Sequence, residues 1–420
     1  MREPAASVTP APSQAVPDEP AYGWVVAWAC FVALAVIFGV AYSFAAFFDA
    51  FTAEFRARRA DVSLVFGLSG LIYFVLGAVG GMLADRFGPR VVCTAGMLCI
   101  AGGLLGCSFA PSMGAVYAAY GVGIGIGIAL VYTPSIACVQ PWFTRRRGLA
   151  AGLASAGIGA GTVVVPLLAS GLIAASSWRG ALQGLALGAL LLGGGATLLL
   201  KRAPAATAQG ARGVVPGLTL RQALASREFR WLYLSVLLAG PVMFIPFAHV
   251  SVSARDIGID EARAVGLVGL IGIGSLSGRF AIGALADRIG RTLTLALAQA
   301  SLGLSYLLWG AADGYVAMLV FALWLGLSYG GMVALMPALC MDLFGARAVS
   351  SILGTLYSGA AFGNLAGPVL AGWVFDRSGG YGPVIWVCLA LSALGTAATL
   401  QLLKRRRQQP AAPAAQGGAR

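Results

Sequence analysis

Twelve apolar stretches recur along this chain, at 24–50, 62–83, 90–109, 114–138, 149–174 and 180–200, then at 230–253, 264–286, 291–310, 314–340, 348–373 and 382–403. Each is near or above the ~20 residues that a helix needs to cross ~30 Å of hydrocarbon. The expected fold is therefore an all-α membrane protein with 12 transmembrane helices. Of the 420 residues, 59% are hydrophobic and only 10% are charged, where an average soluble domain is about a quarter charged. Such a surplus cannot be buried in a water-soluble core, so lipid must solvate much of the surface. The 59 glycines would weaken helices in water, but in a bilayer small residues let helix backbones approach closely.

The net charge of +13 does not point to nucleic acid, because the basic residues sit in short gaps between apolar runs. With the N-terminus inside, the tails and even-numbered gaps hold 20 of the 28 basic residues. That bias sets both termini on the cytosolic side. All seven cysteines fall inside apolar segments without a C-x-x-C pair and read as packing residues. No metal site or cofactor is called for.

The Pro- and Ala-rich residues 1–22 lack the layout of a cleaved signal peptide and are expected to form a disordered cytosolic tail. Residues 23–200 and 229–403 are expected to form two six-helix halves, and 404–420 a second cytosolic tail. Residues 201–228, polar and broken by Pro204 and Pro216, read as the cytosolic linker between the halves.

The halves repeat at an offset of 202 residues. Gly81-Met-Leu-Ala-Asp85-Arg86-Phe-Gly88 joins the second and third helices, and Gly283-Ala-Leu-Ala-Asp287-Arg288-Ile-Gly290 joins the eighth and ninth. The same offset pairs Gly152 with Gly354, Gly157 with Gly359, Gly161 with Gly363 and Pro166 with Pro368. Halves that rock around a midplane site are how such repeats carry solutes. The glycine of each connection permits a tight turn. Asp85 and Asp287, followed by Arg86 and Arg288, can pair with neighbouring helix ends and latch the cytosolic side.

The repeated G-x-L-A-D-R-x-G connection resembles the signature loop of the major facilitator superfamily. A narrower resemblance lies in Gly123-Ile-Gly125-Ile-Gly127, Tyr132-Thr-Pro134, Trp142-Phe143-Thr-Arg145-Arg146-Arg147-Gly148, and the glycines that follow. With Tyr22-Gly23-Trp24, Phe247-Ala-His249 and Ala254-Arg255-Asp256, these segments resemble the monocarboxylate transporter family, particularly its bacterial members, and the related oxalate/formate antiporters. The resemblance spans roughly residues 22–403. It implies the major facilitator fold, with two pseudo-symmetric halves moving by alternating access.

Arg279 is the most informative single residue. It lies eight residues before Asp287, about 12 Å from the cytosolic interface at 1.5 Å per residue. A charge at that depth costs ~2.5–3.5 kcal/mol or more unless something compensates it. No acidic residue lies deep in any apolar stretch, so a bound anion is the expected partner, and a guanidinium matches a carboxylate bidentately. The family resemblance implies the same role for an arginine at this position. His249, the only histidine, is either a packed residue or one that touches substrate and exchanges a proton near neutral pH. Asp256, two turns further on, is the second candidate for proton coupling. Tyr120, Tyr329, Tyr357 and Asn364 lie deep enough in their helices to donate hydrogen bonds to a carboxylate.

The chain departs from its family in two ways. Where animal proton-coupled members have a lysine on the first helix and an aspartate before the arginine, it has Ala46 and Ser275. The lysine that oxalate/formate exchangers carry on the eleventh helix is missing, since 348–373 contain no Lys or Arg. One deep cation suits one carboxylate. The expected function is secondary active transport of a small monocarboxylate of the lactate or pyruvate kind, with a proton. An oxalate or dicarboxylate exchanger and a drug-efflux carrier are the alternatives. An enzyme is not expected, for lack of a deep acid/base or metal cluster. The expected partners are the organic anion, a proton and the lipid bilayer, with one chain working as a monomer. The Ala/Arg/Gly-rich composition and lack of a targeting segment suggest a bacterial inner membrane.

Overall fold

The computed structural model of the protein describes residues 20–143, 146–203, 217–345 and 347–406. Most of the two expected tails and residues 204–216 of the expected linker lie outside these. Twelve membrane-length helices follow in order: α1 (Tyr22–Phe55), α2 (Arg59–Phe87), α3 (Pro89–Ser108), α4 (Met113–Trp142), α5 (Arg147–Ala175), α6 (Trp178–Leu198), α7 (Arg227–Asp256), α8 (Glu261–Ile289), α9 (Arg291–Gly310), α10 (Tyr315–Phe344), α11 (Val349–Ser378) and α12 (Gly382–Arg406). Among the described residues eleven are long and apolar enough to span a bilayer. The twelfth, α11, has 30 residues and is more polar, carrying Asn364, Thr355 and Ser358 in its middle.

Most helices overrun their apolar stretches. α1 gains Phe51–Phe55 and α2 begins at Arg59, because helical hydrogen bonding continues into charged turns at the membrane rim. Both repeated connections turn on one glycine, Gly88 at φ 93° and Gly290 at φ 88°. Few residues with a Cβ adopt that conformation. The connections are consequently so short that α3 starts at Pro89 and α9 at Arg291.

Each half is held by close backbone approaches at the paired glycines. A methyl group on Gly157 or Gly161 of α5 would overlap the carbonyls of Phe31 and Ala35 on α1. In the second half, Gly359 and Gly363 of α11 pack in the same way on Leu237 and Gly240 of α7. Where apolar burial gives little drive, as between helices in lipid, such contact supplies the cohesion. A buried polar cluster adds to it: Gln299 of α9 donates to Ser235 of α7 at 2.5 Å and accepts from Thr399 of α12 at 2.6 Å.

The halves meet along α2 against α11 and α5 against α8. On α2, Gly70 packs on Asn364, Gly67 on the backbone of Leu365, and Ala60 on Gly372. On α8, Gly272 packs on Thr162 and Gly269 on Val163. All these contacts lie from mid-height toward the rim formed by the α1–α2 and α7–α8 connections. Toward the opposite rim, the faces of Gly152, Gly283 and Gly354 meet no neighbour. Among the described residues the inter-half contacts close one end and leave the other open, and the closed end is the one expected to be external.

Candidate functional site

Arg279 of α8 is half-buried and makes no hydrogen bond or ion pair among the described residues. The phenols of Tyr132 on α4 and Tyr357 on α11 lie within its electrostatic reach, and both also lie within that of Tyr329 on α10. The Tyr329 hydroxyl lies 3.4 Å from that of Tyr42 on α1. Tyr73 of α2 belongs to the same cluster. Apolar rings complete the walls: Phe247 stacks on Tyr42 at 4.2 Å, Phe38 meets Tyr132 at 5.2 Å, and Phe74 meets Tyr357 at 6.1 Å. Both halves contribute, with Tyr42, Tyr73 and Tyr132 from the first and Arg279, Tyr329 and Tyr357 from the second.

This arrangement has the chemistry of a small-anion site. The guanidinium offers a planar fork for one carboxylate, the phenols offer donors to its oxygens or to a neighbouring hydroxyl or keto group, and the rings pack a short carbon chain. Among the described residues, no group of three or more His, Cys, Asp or Glu side chains is placed to hold a metal ion.

The structure brings together Arg279, Tyr329 and Tyr357 but sets the other sequence candidates elsewhere. Tyr120 is fully buried inside the first half, where its hydroxyl donates to the Val40 carbonyl at 2.8 Å. It lies in a π-helical stretch, Tyr117–Ile124, whose wider turns shift the side-chain phase. Asn364 is wedged into α2, with Nδ2 donating to the Phe66 and Gly67 carbonyls at 3.5 and 3.4 Å. It serves the contact between halves. Tyr42, Tyr73 and Tyr132 were not among the candidates. Their signal in the sequence is a tyrosine well inside an apolar run, the same one that Tyr120 carries.

His249 sits at the closed end and is fully buried. Its Nε2 is 2.8 Å from the Pro368 carbonyl and 3.1 Å from the Ser63 hydroxyl. A carbonyl only accepts, so Nε2 carries the proton and Nδ1 accepts from the Tyr381 hydroxyl at 2.9 Å. Tyr381 itself accepts from Arg59 at 2.9 Å, and Arg59 also grips Asp256 at 2.7 and 2.8 Å. Both proton-coupling candidates thus belong to one hydrogen-bonded network.

At the open end, Asp85, Arg86, Asp287 and Arg288 are all exposed. The carboxylates of Asp85 and Asp287 have no partner among the described residues, while the Asp85 backbone carbonyl accepts from Arg202. Asp85→Asn and Asp287→Asn are expected to slow turnover several-fold with little change in substrate affinity, as measured by transport kinetics alongside equilibrium binding. Weakened binding at normal turnover would contradict the latch role.

The sequence profile described as Major Facilitator Superfamily matches residues 29–357 and 254–420. Among solved structures, a bacterial homologue of the human lysosomal transporter Spinster, in an inward-facing and unoccupied conformation, aligns with TM-score 0.65 at 15% identity, covering 91% of this chain and 95% of that one. A peptide transporter, POT, crystallised as a mutant with sulfate, aligns with TM-score 0.71 at 12% identity, covering 91% and 94%. These likenesses establish the fold. Among curated sequences, monocarboxylate transporter 13 of Bos taurus is 31% identical over 370 residues, covering 88% of this chain and 86% of the relative. Monocarboxylate transporter 3 of Rattus norvegicus is 30% identical over 418 residues, covering 96% and 85%. The chain is a multi-pass membrane protein and belongs to the monocarboxylate transporter family of the major facilitator superfamily.

Proposed function

We propose that this protein carries a small monocarboxylate, of the lactate or pyruvate kind, across the membrane by alternating access together with a proton. The observation that carries the reading is Arg279, an intramembrane guanidinium with no hydrogen bond or ion pair among the described residues, within electrostatic reach of tyrosine phenols from both halves. The names of the related transporters support it. One chain supplies both walls of the site, so a monomer suffices. The membrane in which we place it is a bacterial inner membrane, on composition. Competition uptake in proteoliposomes tests the substrate class, with labelled lactate set against a panel of organic acids. Lactate left untransported and undisplaced by every monocarboxylate would reject it.

For the proton, His249 and Asp256 are the candidates. A second proton on His249 goes to Nδ1, where it displaces the bond from Tyr381 and puts positive charge beside Arg59. The charged groups near it are Arg59 of α2 and Asp256 of its own helix, with Asp376 of α11 near its partner Tyr381. Protonation therefore loosens the closed end, so uptake should rise as external pH falls. The measurement is the pH profile of lactate uptake in wild type, His249→Gln and Asp256→Asn. The steep part of the rise should be lost in at least one variant, whereas three superimposable profiles would mean that neither residue takes part.

A further inference from the structure

We propose that Arg59, Asp256, Arg255 and Asp49 form a reciprocal ion-pair lock that fastens the two halves at the closed end and sets how much of the transporter opens on that side. The lock goes beyond the proposed substrate, because it needs only that the two halves separate there.

The pairing is crossed. Arg59 of the first half holds Asp256 of the second through two bonds of 2.7 and 2.8 Å. Asp49 of the first half faces Arg255 of the second, with Oδ2 2.6 Å from Nε. Each half thus gives one acid and one base, and the second half gives them from adjacent positions on the last turn of α7. The Arg59 and Arg255 side chains are each 16% exposed, while Asp256 is 36% and Asp49 56% exposed, so the pairs lie at the rim, with the arginine ends covered and the acid ends open to water and salt.

A third fastening lies alongside. The Asp376 carboxylate of α11 accepts from the backbone amides of Arg59 and Ala60, both at 3.1 Å. These amides open α2 and have no helical acceptor of their own. All three contacts span the halves, so separation at this end breaks them together. Because each half's pair sums to zero charge, the parted rims carry no net charge from these four residues. None of the four contacts the Arg279 cluster. They act on the conformational equilibrium and are positioning residues.

The test reads exposure of the closed end without substrate. Ser63 is fully buried below the lock, and its hydroxyl donates to the Arg59 carbonyl at 2.7 Å. In a Ser63→Cys background, reconstituted vesicles are treated with a membrane-impermeant maleimide from the closed-end side. Arg59→Glu sets two carboxylates against each other and should raise the labelling rate roughly tenfold. Asp256→Asn, which removes attraction without adding repulsion, should raise it less. The exchanged pair Arg59→Glu with Asp256→Arg should return it toward the background. Unchanged labelling in correctly folded Arg59→Glu would overturn the lock, as would an exchanged pair that labels as fast as Arg59→Glu alone. No transported molecule enters the assay, so a wrong substrate assignment leaves this result intact.

Discussion

Arg279→Lys should lose transport by roughly ten- to a hundredfold while the protein still folds and inserts. The size follows from breaking one or two charge-assisted hydrogen bonds, at ~1.4 kcal/mol per tenfold. Lysine keeps the positive charge but not the planar fork, so it meets a carboxylate at one point and from a shorter reach. Folding should survive because Arg279 makes no hydrogen bond or ion pair among the described residues. Nothing inside the protein is orphaned by its replacement. Initial uptake rates in reconstituted vesicles, normalised to inserted protein, give the answer. Wild-type rates in the lysine variant would remove Arg279 from the binding site.

Oxalate and succinate should compete against lactate at least a hundredfold less well than pyruvate does at neutral pH. In the proposed site the first carboxylate meets Arg279, and the second meets tyrosine hydroxyls and aromatic rings among the described residues. Burying an unpaired carboxylate costs several kcal/mol, which is more than a hundredfold in affinity. The arginines at the closed end, Arg59 and Arg255, are engaged by carboxylates there. The chain's only lysines are Lys201, after the end of α6, and Lys404, near the end of α12. Inhibition constants from the competition assay decide the matter. If oxalate displaces lactate as readily as pyruvate does, a single carboxylate is not what the site selects.

The sequence carries the heights of residues along their helices far better than their directions. The repeated connection and the paired glycines both depend on height, and both reappear in the structure at the spacings expected. Direction around the helix axis depends on each helix's rotation and on irregular turns. Tyr120 illustrates the loss: it is as deep as a cavity residue, yet a π-helical stretch turns it onto the backbone of α1. Tyr132, twelve residues on, faces Arg279 instead. Asn364 was legible as a buried donor, but its partners are carbonyls 297 and 298 positions away. Only the packing of α2 on α11 reveals them. The contact between Arg59 and Asp256, 197 positions apart, was equally invisible, because it exists only once two halves close on each other.

The small-residue seam where α2 meets α11 has a mechanical consequence. With Gly67 beneath Leu365 backbone lies almost on backbone at mid-height, and over Gly70 the Asn364 side chain plugs the seam; there are few long side chains to disentangle there. Two rods touching over such a smooth patch can tilt against each other as on a bearing. The tilt displaces atoms little at the patch and most at the far tips. The resistance to tilting is therefore concentrated in the charged tips, where water can help exchange one set of partners for another.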